Sequence, residues 1–126
     1  MNILLVLVLL FHPVTWKDVY TFLDKDHTNW QEYTGEHNCE AFAKDLRDAG
    51  WQQGIRFYRV GIGFENGARH IFNAVETSNL GTVYIEPQSD MRYTEPKVGG
   101  YLCDNSTGIC WTAEGMKIVE VTEYDK

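Results

Sequence analysis

Near Ile55 the spacing of apolar residues switches from a helical period to a period of two, and that switch confines the chain to a mixed helix-and-strand fold. Upstream, Trp16, Val19, Tyr20 and Leu23 recur at i, i+3, i+4 and i+7, which makes one apolar stripe on a helix. Thr15 is its expected N-cap, and Asp18 at the third helical position completes a capping box. The helix should fade near Asp24 to Asp26. Residues 27–36 are polar, contain Gly35, and read as a loop. Asn38, a strong N-cap, then starts a second helix with Cys39 at its first position. Cys39, Phe42, Ala43 and Leu46 share one face, while Glu40, Lys44, Asp45, Arg47 and Asp48 face water. Gly50 is expected to stop this helix as a C-terminal cap.

Downstream, β-branched and aromatic residues take over. Asn66-Gly67 is a strong hairpin signal, and it predicts strands over residues 55–65 and 68–76. Ser78-Asn79-Leu80-Gly81 turns into a third strand over residues 82–86, closed by Pro87. A loop rich in Pro and Gly leads to a small hairpin, residues 101–103 and 110–112, and residues 116–122 make a final strand. The expected fold is α+β, with N-terminal helices packed on an antiparallel β-meander. A chain of 126 residues suits a single domain, placed at residues 13–126.

Residues 1–12 read as an apolar leader or a buried N-terminal segment. The run over residues 3–11 is too short to span a bilayer, which takes about 20 residues. Its length fits a signal-peptide core, but no Lys or Arg precedes it and no small-x-small cleavage site follows. It is the one feature that offers membrane attachment.

With 44% apolar residues, plus 4 Trp, 7 Tyr and 6 Phe among them, the chain has material for a real core. The formal net charge of -7 comes without any cluster of Lys or Arg, which argues against nucleic acid and against docking on an anionic membrane. Cys103 and Cys110 flank a polar tip, and a disulfide there would stabilise the fold by about 2.5 kcal/mol in the loop-entropy picture. Such a bridge favours an exported or cell-envelope protein over a cytoplasmic one. Cys39 is left unpaired.

A thiol becomes a good nucleophile as the thiolate, which helix N-termini favour. A base is then needed, and His70 lies on a predicted strand between Arg69 and Ile71. A turn centred near Asn79 sets His70 opposite a residue between positions 86 and 88, so Glu86 is the expected carboxylate beside the imidazole. Glu76 lies too far along the strand, and Asn73 has the wrong parity.

The blocks Asn38-Cys39-Glu40-Ala41-Phe42-Ala43, Arg69-His70-Ile71-Phe72-Asn73-Ala74-Val75 and Val83-Tyr84-Ile85-Glu86-Pro87 together resemble the transglutaminase-like superfamily, in particular a small prokaryotic family of papain-like architecture. That resemblance implies a papain-like core, with Cys39 as nucleophile, His70 as base and Glu86 as orienting acid, the last standing where the family usually has Asp. It implies cysteine-dependent acyl transfer on the amide bonds of a protein or peptide-like substrate, with no cofactor. The rival is a non-catalytic module of the same fold, whose interaction face would use Trp30, Trp51 and Trp111; core packing is the plainer expectation for at least two of these. A metal site built from His37, Cys39, His70 and Glu86 ranks last, because no strong Cys/His zinc pattern is present. Oligomeric state is not indicated.

Overall fold

The structure is a computed structural model that describes residues 13–126. The expected apolar leader over residues 1–12 lies outside the described residues.

Helix α1 (Trp16–Lys25) opens on the expected capping box. The Thr15 hydroxyl accepts the Asp18 N–H, and the Asp18 carboxylate accepts the Thr15 N–H. Val19 and Leu23 are buried, but Tyr20 is 59% exposed, so the apolar stripe is narrower than its spacing suggested. A single 3-10 turn follows at Thr28–Trp30. Helix α2 (Cys39–Gln52) is capped by Asn38, whose side-chain oxygen accepts the Ala41 N–H. Gly50 does not end it. The helix runs on past Gly50, and the left-handed residue beyond its end is Gly54, at φ 78°. Gly50 is required for another reason: a Cβ there would overlap the Phe57 ring.

The strands are β1 (Tyr58–Phe64), β2 (Arg69–Thr77), β3 (Gly81–Ile85), β4 (Arg92–Tyr93) and β5 (Ile118–Tyr124). Gly67, at φ 88°, supplies the left-handed position of the β1–β2 turn. All pairings are antiparallel, in a five-stranded sheet of order β4-β3-β2-β1-β5. Strands β1 to β4 run as a meander, while β5 returns to the far edge and pairs with β1.

Side-chain alternation divides the interior in two. Val75, Val83 and Ile85 pack with Val19, Leu23 and Leu46 of the helices. Val60, Ile62, Phe72 and Tyr93 point the other way and pack with Leu102 and Ile118. A buried polar bond pins α2 to the first face, where Asn73 Nδ2 donates to the Ala43 carbonyl at 2.9 Å.

The architecture is therefore dominated by one antiparallel sheet with two short helices, and the transglutaminase-like, papain-like core expected from sequence is not what forms. The blocks that suggested it are each a few residues long. Blocks of that length report local context, whereas the return of β5 to β1 is set by contacts distant in sequence.

Cys103 and Cys110 form a disulfide, with Cα atoms 3.9 Å apart, and Cys39 is free. Trp30, Trp51 and Trp111 are 71%, 42% and 43% exposed, so none is the core residue that was expected of at least two. Among the described residues no helix is long and apolar enough to cross a membrane.

Candidate functional site

His70 enters at the start of β2, and Glu86 follows directly on the end of β3. The β2–β3 ladder closes with Asn73 paired to Ile85, so Glu86 continues past the last register pair and lies diagonally from His70. The carboxylate reaches back along the sheet, and its Oε2 stands 2.6 Å from His70 Nε2. A diagonal across neighbouring strands spans about 7–8 Å between backbones, which a Glu side chain can bridge.

Glu86 is buried at 6% exposure and saturated with donors. Tyr93 Oη donates to the same Oε2 at 2.7 Å, and the Gln88 N–H donates to Oε1 at 3.2 Å. Burial by itself would raise the carboxyl pKa, but the hydrogen bonds from His70, Tyr93 and Gln88 favour the anion and hold it below the ordinary 4.5. The same burial, with Glu86 beside it, pushes the Tyr93 phenol far up, so that its proton stays on.

An ionised carboxylate only accepts, so the proton of the His70–Glu86 bond resides on Nε2. Nδ1 is then the nitrogen with the free lone pair. The ring lies among aromatics, 5.7 Å from Phe72 and edge-on to Tyr93 at 6.4 Å between centroids.

Cys39 sits half-buried at the N-terminus of α2. Asn38 occupies the Ala41 and Phe42 N–H groups through its side chain and its carbonyl. The Cys39 N–H lies outside this capping and points out of the helix start. Cys39 and His70 border one recess of about 430 Å³, which Tyr33, Arg59, Arg69, Ile71 and Tyr124 also line. Parity separates the two groups: Ile71 and Asn73 share the α2 face, while His70 goes with Phe72 and Ala74. The recess takes in Arg69, His70 and Ile71 in succession and so wraps the end of β2. Among the described residues no hydrogen bond joins the Cys39 thiol to the imidazole. The structure thus brings His70 and Glu86 into contact, and sets Cys39 beside the same space without a hydrogen bond to either.

Arg59 is fixed by Asp125, which accepts from its Nε at 2.6 Å and from Arg47 Nη1 at 2.7 Å. That clamp ties the C-terminal segment, and with it Tyr124, to the wall of the recess. A larger cleft of about 980 Å³ opens between α1 and the end of α2, but its lining holds neither a thiol nor an imidazole. His37 does not join His70. Its Nε2 lies 3.2 Å from Asp45 and its ring packs on Phe42, and no group of three or more His, Cys, Asp or Glu among the described residues could hold a metal ion.

Tyr93, Arg59 and Tyr124 were missed from sequence. A short strand signal was present for Tyr93, in Met91-Arg92-Tyr93-Thr94 after the Ser89-Asp90 turn. Nothing local marks Arg59 and Tyr124 as neighbours of Cys39.

No family model and no curated protein matches the chain. Among solved structures, it is similar to a Polyporus squamosus lectin determined with the human-type influenza-binding epitope Neu5Acα2-6Galβ1-4GlcNAc. The TM-score is 0.55 at 14% identity, over 65% of this chain and 34% of the lectin chain. The chain thus spans about a third of the lectin, and the likeness concerns the fold alone. The transglutaminase-like assignment, with its papain-like core and cysteine-protease character, is overturned: the fold found in a solved structure is that of a lectin chain, and no family model supports the assignment.

Proposed function

We propose that the chain carries out cysteine-dependent acyl transfer on amide bonds of a peptide-like substrate, with Cys39 as nucleophile, His70 as base and Glu86 as its orienter. The observation that supports this most is the 2.6 Å contact between a buried, ionised Glu86 and His70, which borders the same recess as Cys39. A buried carboxylate on Nε2 fixes the imidazole tautomer and leaves Nδ1 free to act.

In this reading the thiol gives its proton to His70 Nδ1, and the sulfur attacks the carbonyl carbon. Negative charge collects on the carbonyl oxygen, for which the Cys39 N–H at the helix start is the available donor. The imidazolium then protonates the departing amine as the C–N bond breaks, leaving a thioester on Cys39. Water or a second amine attacks the thioester, and the thiol is restored. The thiol and imidazole are not bonded at rest and approach the recess from different faces at the end of β2, so the proposal requires the ring or the α2 N-terminus to swing round that strand end on substrate binding.

The test is to incubate the protein with electrophilic peptide acyl analogues and look for the adduct on Cys39 by mass spectrometry. Wild type should label, Cys39→Ala should not, and His70→Ala should label far more slowly. Losing the small thiol should cost only about 1 kcal/mol of stability. A wild-type chain that never labels, together with a Cys39→Ala chain destabilised by about 3 kcal/mol, would mean Cys39 is core filler.

A second reading, carbohydrate binding, draws on the lectin likeness and on Trp30, which is 71% exposed with His27 stacked on one face at 3.8 Å. Calorimetric titration with Neu5Acα2-6Galβ1-4GlcNAc tests it, and an absence of heat at millimolar sugar would dismiss that ligand.

A further inference from the structure

Tyr93 is 7% exposed and has one polar atom to satisfy. That hydroxyl donates to Glu86 Oε2 at 2.7 Å, the oxygen that also receives His70 Nε2 at 2.6 Å. It stands 3.5 Å from Nε2 as well, but Nε2 carries a proton, so the phenolic proton goes to the carboxylate. Both in-plane lone pairs of Oε2 are then taken, and Oε1 is held by the Gln88 N–H. The carboxylate cannot rotate or exchange its oxygens without breaking two charge-assisted bonds together.

Strand β4 is only two residues long, and its pairing of Tyr93 with Tyr84 is too brief to hold a side chain rigidly. The disulfide hairpin supplies what is missing. On the other side of β4, Tyr93 bridges to Asp104, Thr94 N–H donates to Cys103 at 3.0 Å, and Asn105 N–H donates to Arg92 at 2.9 Å. The Cys103–Cys110 bond closes that hairpin, and the Trp111 ring meets Tyr93 edge-on at 6.0 Å. Tyr93 is thus clamped between the sheet and a covalently closed loop.

We infer that Tyr93 is a positioning residue of the His70–Glu86 pair: its hydroxyl locks the carboxylate that sets the imidazole tautomer, and the disulfide hairpin keeps it in place. As a statement about catalysis this rests on the acyl-transfer reading above; as a statement about the pair it does not. The fit is specific to a phenol, because Phe at this position would fill the same space and supply no donor.

Tyr93→Phe keeps the ring packing and removes one oxygen, so the variant should fold. Two measurements then read the pair directly. Carboxyl ¹³C titration of Glu86 should move up by about 1–2 pH units, from the lost hydrogen bond to a charged group. Ring ¹⁵N shifts of His70 at neutral pH should move from a single Nε2–H tautomer toward a mixture, a change that a purely space-filling role for Tyr93 would not produce. Labelling of Cys39 should slow roughly 10-fold. Unchanged titration and unchanged tautomer in Tyr93→Phe would overturn the inference, whatever happens to labelling. If wild-type Cys39 never labels but both spectroscopic shifts appear, acyl transfer fails and the role of Tyr93 in the pair stands.

Discussion

Replacing Glu86 by Gln tests the centre of the site with almost no change in volume. The carboxylate accepts three hydrogen bonds, from His70 Nε2 at 2.6 Å, Tyr93 Oη at 2.7 Å and the Gln88 N–H at 3.2 Å. A carboxamide has one accepting oxygen and one donating nitrogen, so it cannot serve both sides. If its oxygen takes the His70 and Tyr93 side, the NH₂ group faces the Gln88 N–H. If it turns round, the NH₂ group faces Tyr93 Oη and a His70 ring that must take the Nδ1–H tautomer to accept from it. Either way one of the present hydrogen bonds is lost or the imidazole is forced into the other tautomer, which costs about 1–3 kcal/mol, and the lost charge weakens whatever bonds remain. Glu86→Gln should therefore be less stable at pH 7 by about 2–3 kcal/mol, seen as a lower urea midpoint at unchanged slope.

The pH dependence sharpens this. The Glu86 pKa is depressed in the folded chain below its ordinary 4.5, so its ionised form stabilises the fold fully above that value. As pH falls below 4.5 and through the folded pKa, the contribution is lost. Gln cannot titrate. The stability gap between wild type and Glu86→Gln should thus be present at about pH 5 and shrink as pH falls below 4.5. A gap that holds constant down to pH 3, or no gap at neutral pH, would refute the account of Glu86 as a buried, hydrogen-bonded anion.

Two other substitutions follow from the same structure. Glu86→Asp shortens the side chain by one carbon, roughly 1.5 Å, so the diagonal to His70 should open; Cys39 labelling should slow unless the strands shift, and rates equal to wild type would show that the diagonal reach is not what matters. Gly50→Ala should destabilise the fold by about 1–3 kcal/mol despite better helix propensity, because its methyl meets the Phe57 ring; a rise in thermal midpoint would contradict the packing described for the end of α2.

How much could be read in advance depended on how far apart the cooperating residues lie. The capping box at Thr15 and Asp18, the Asn38 cap and the turn at Gly67 each involve neighbours within a few positions, and sequence alone determined them. His70 and Glu86 could be paired in advance as well, because one turn sets the register between β2 and β3. Gly50 shows the limit: it carries the chemistry of a helix stop, yet what requires it is the Phe57 ring packed against its backbone. The superfamily assignment failed for a related reason, since short local blocks do not report sheet order. Only the tertiary structure decided that β5 returns to β1, and that Arg59, held by Asp125, and Tyr124 wall the recess beside Cys39. Likewise it alone decided that a two-residue strand under a disulfide hairpin delivers Tyr93 to Glu86. Local steric and hydrogen-bonding rules act between near neighbours and are written in their order, whereas these contacts exist only after the whole chain has chosen which surfaces to bury together.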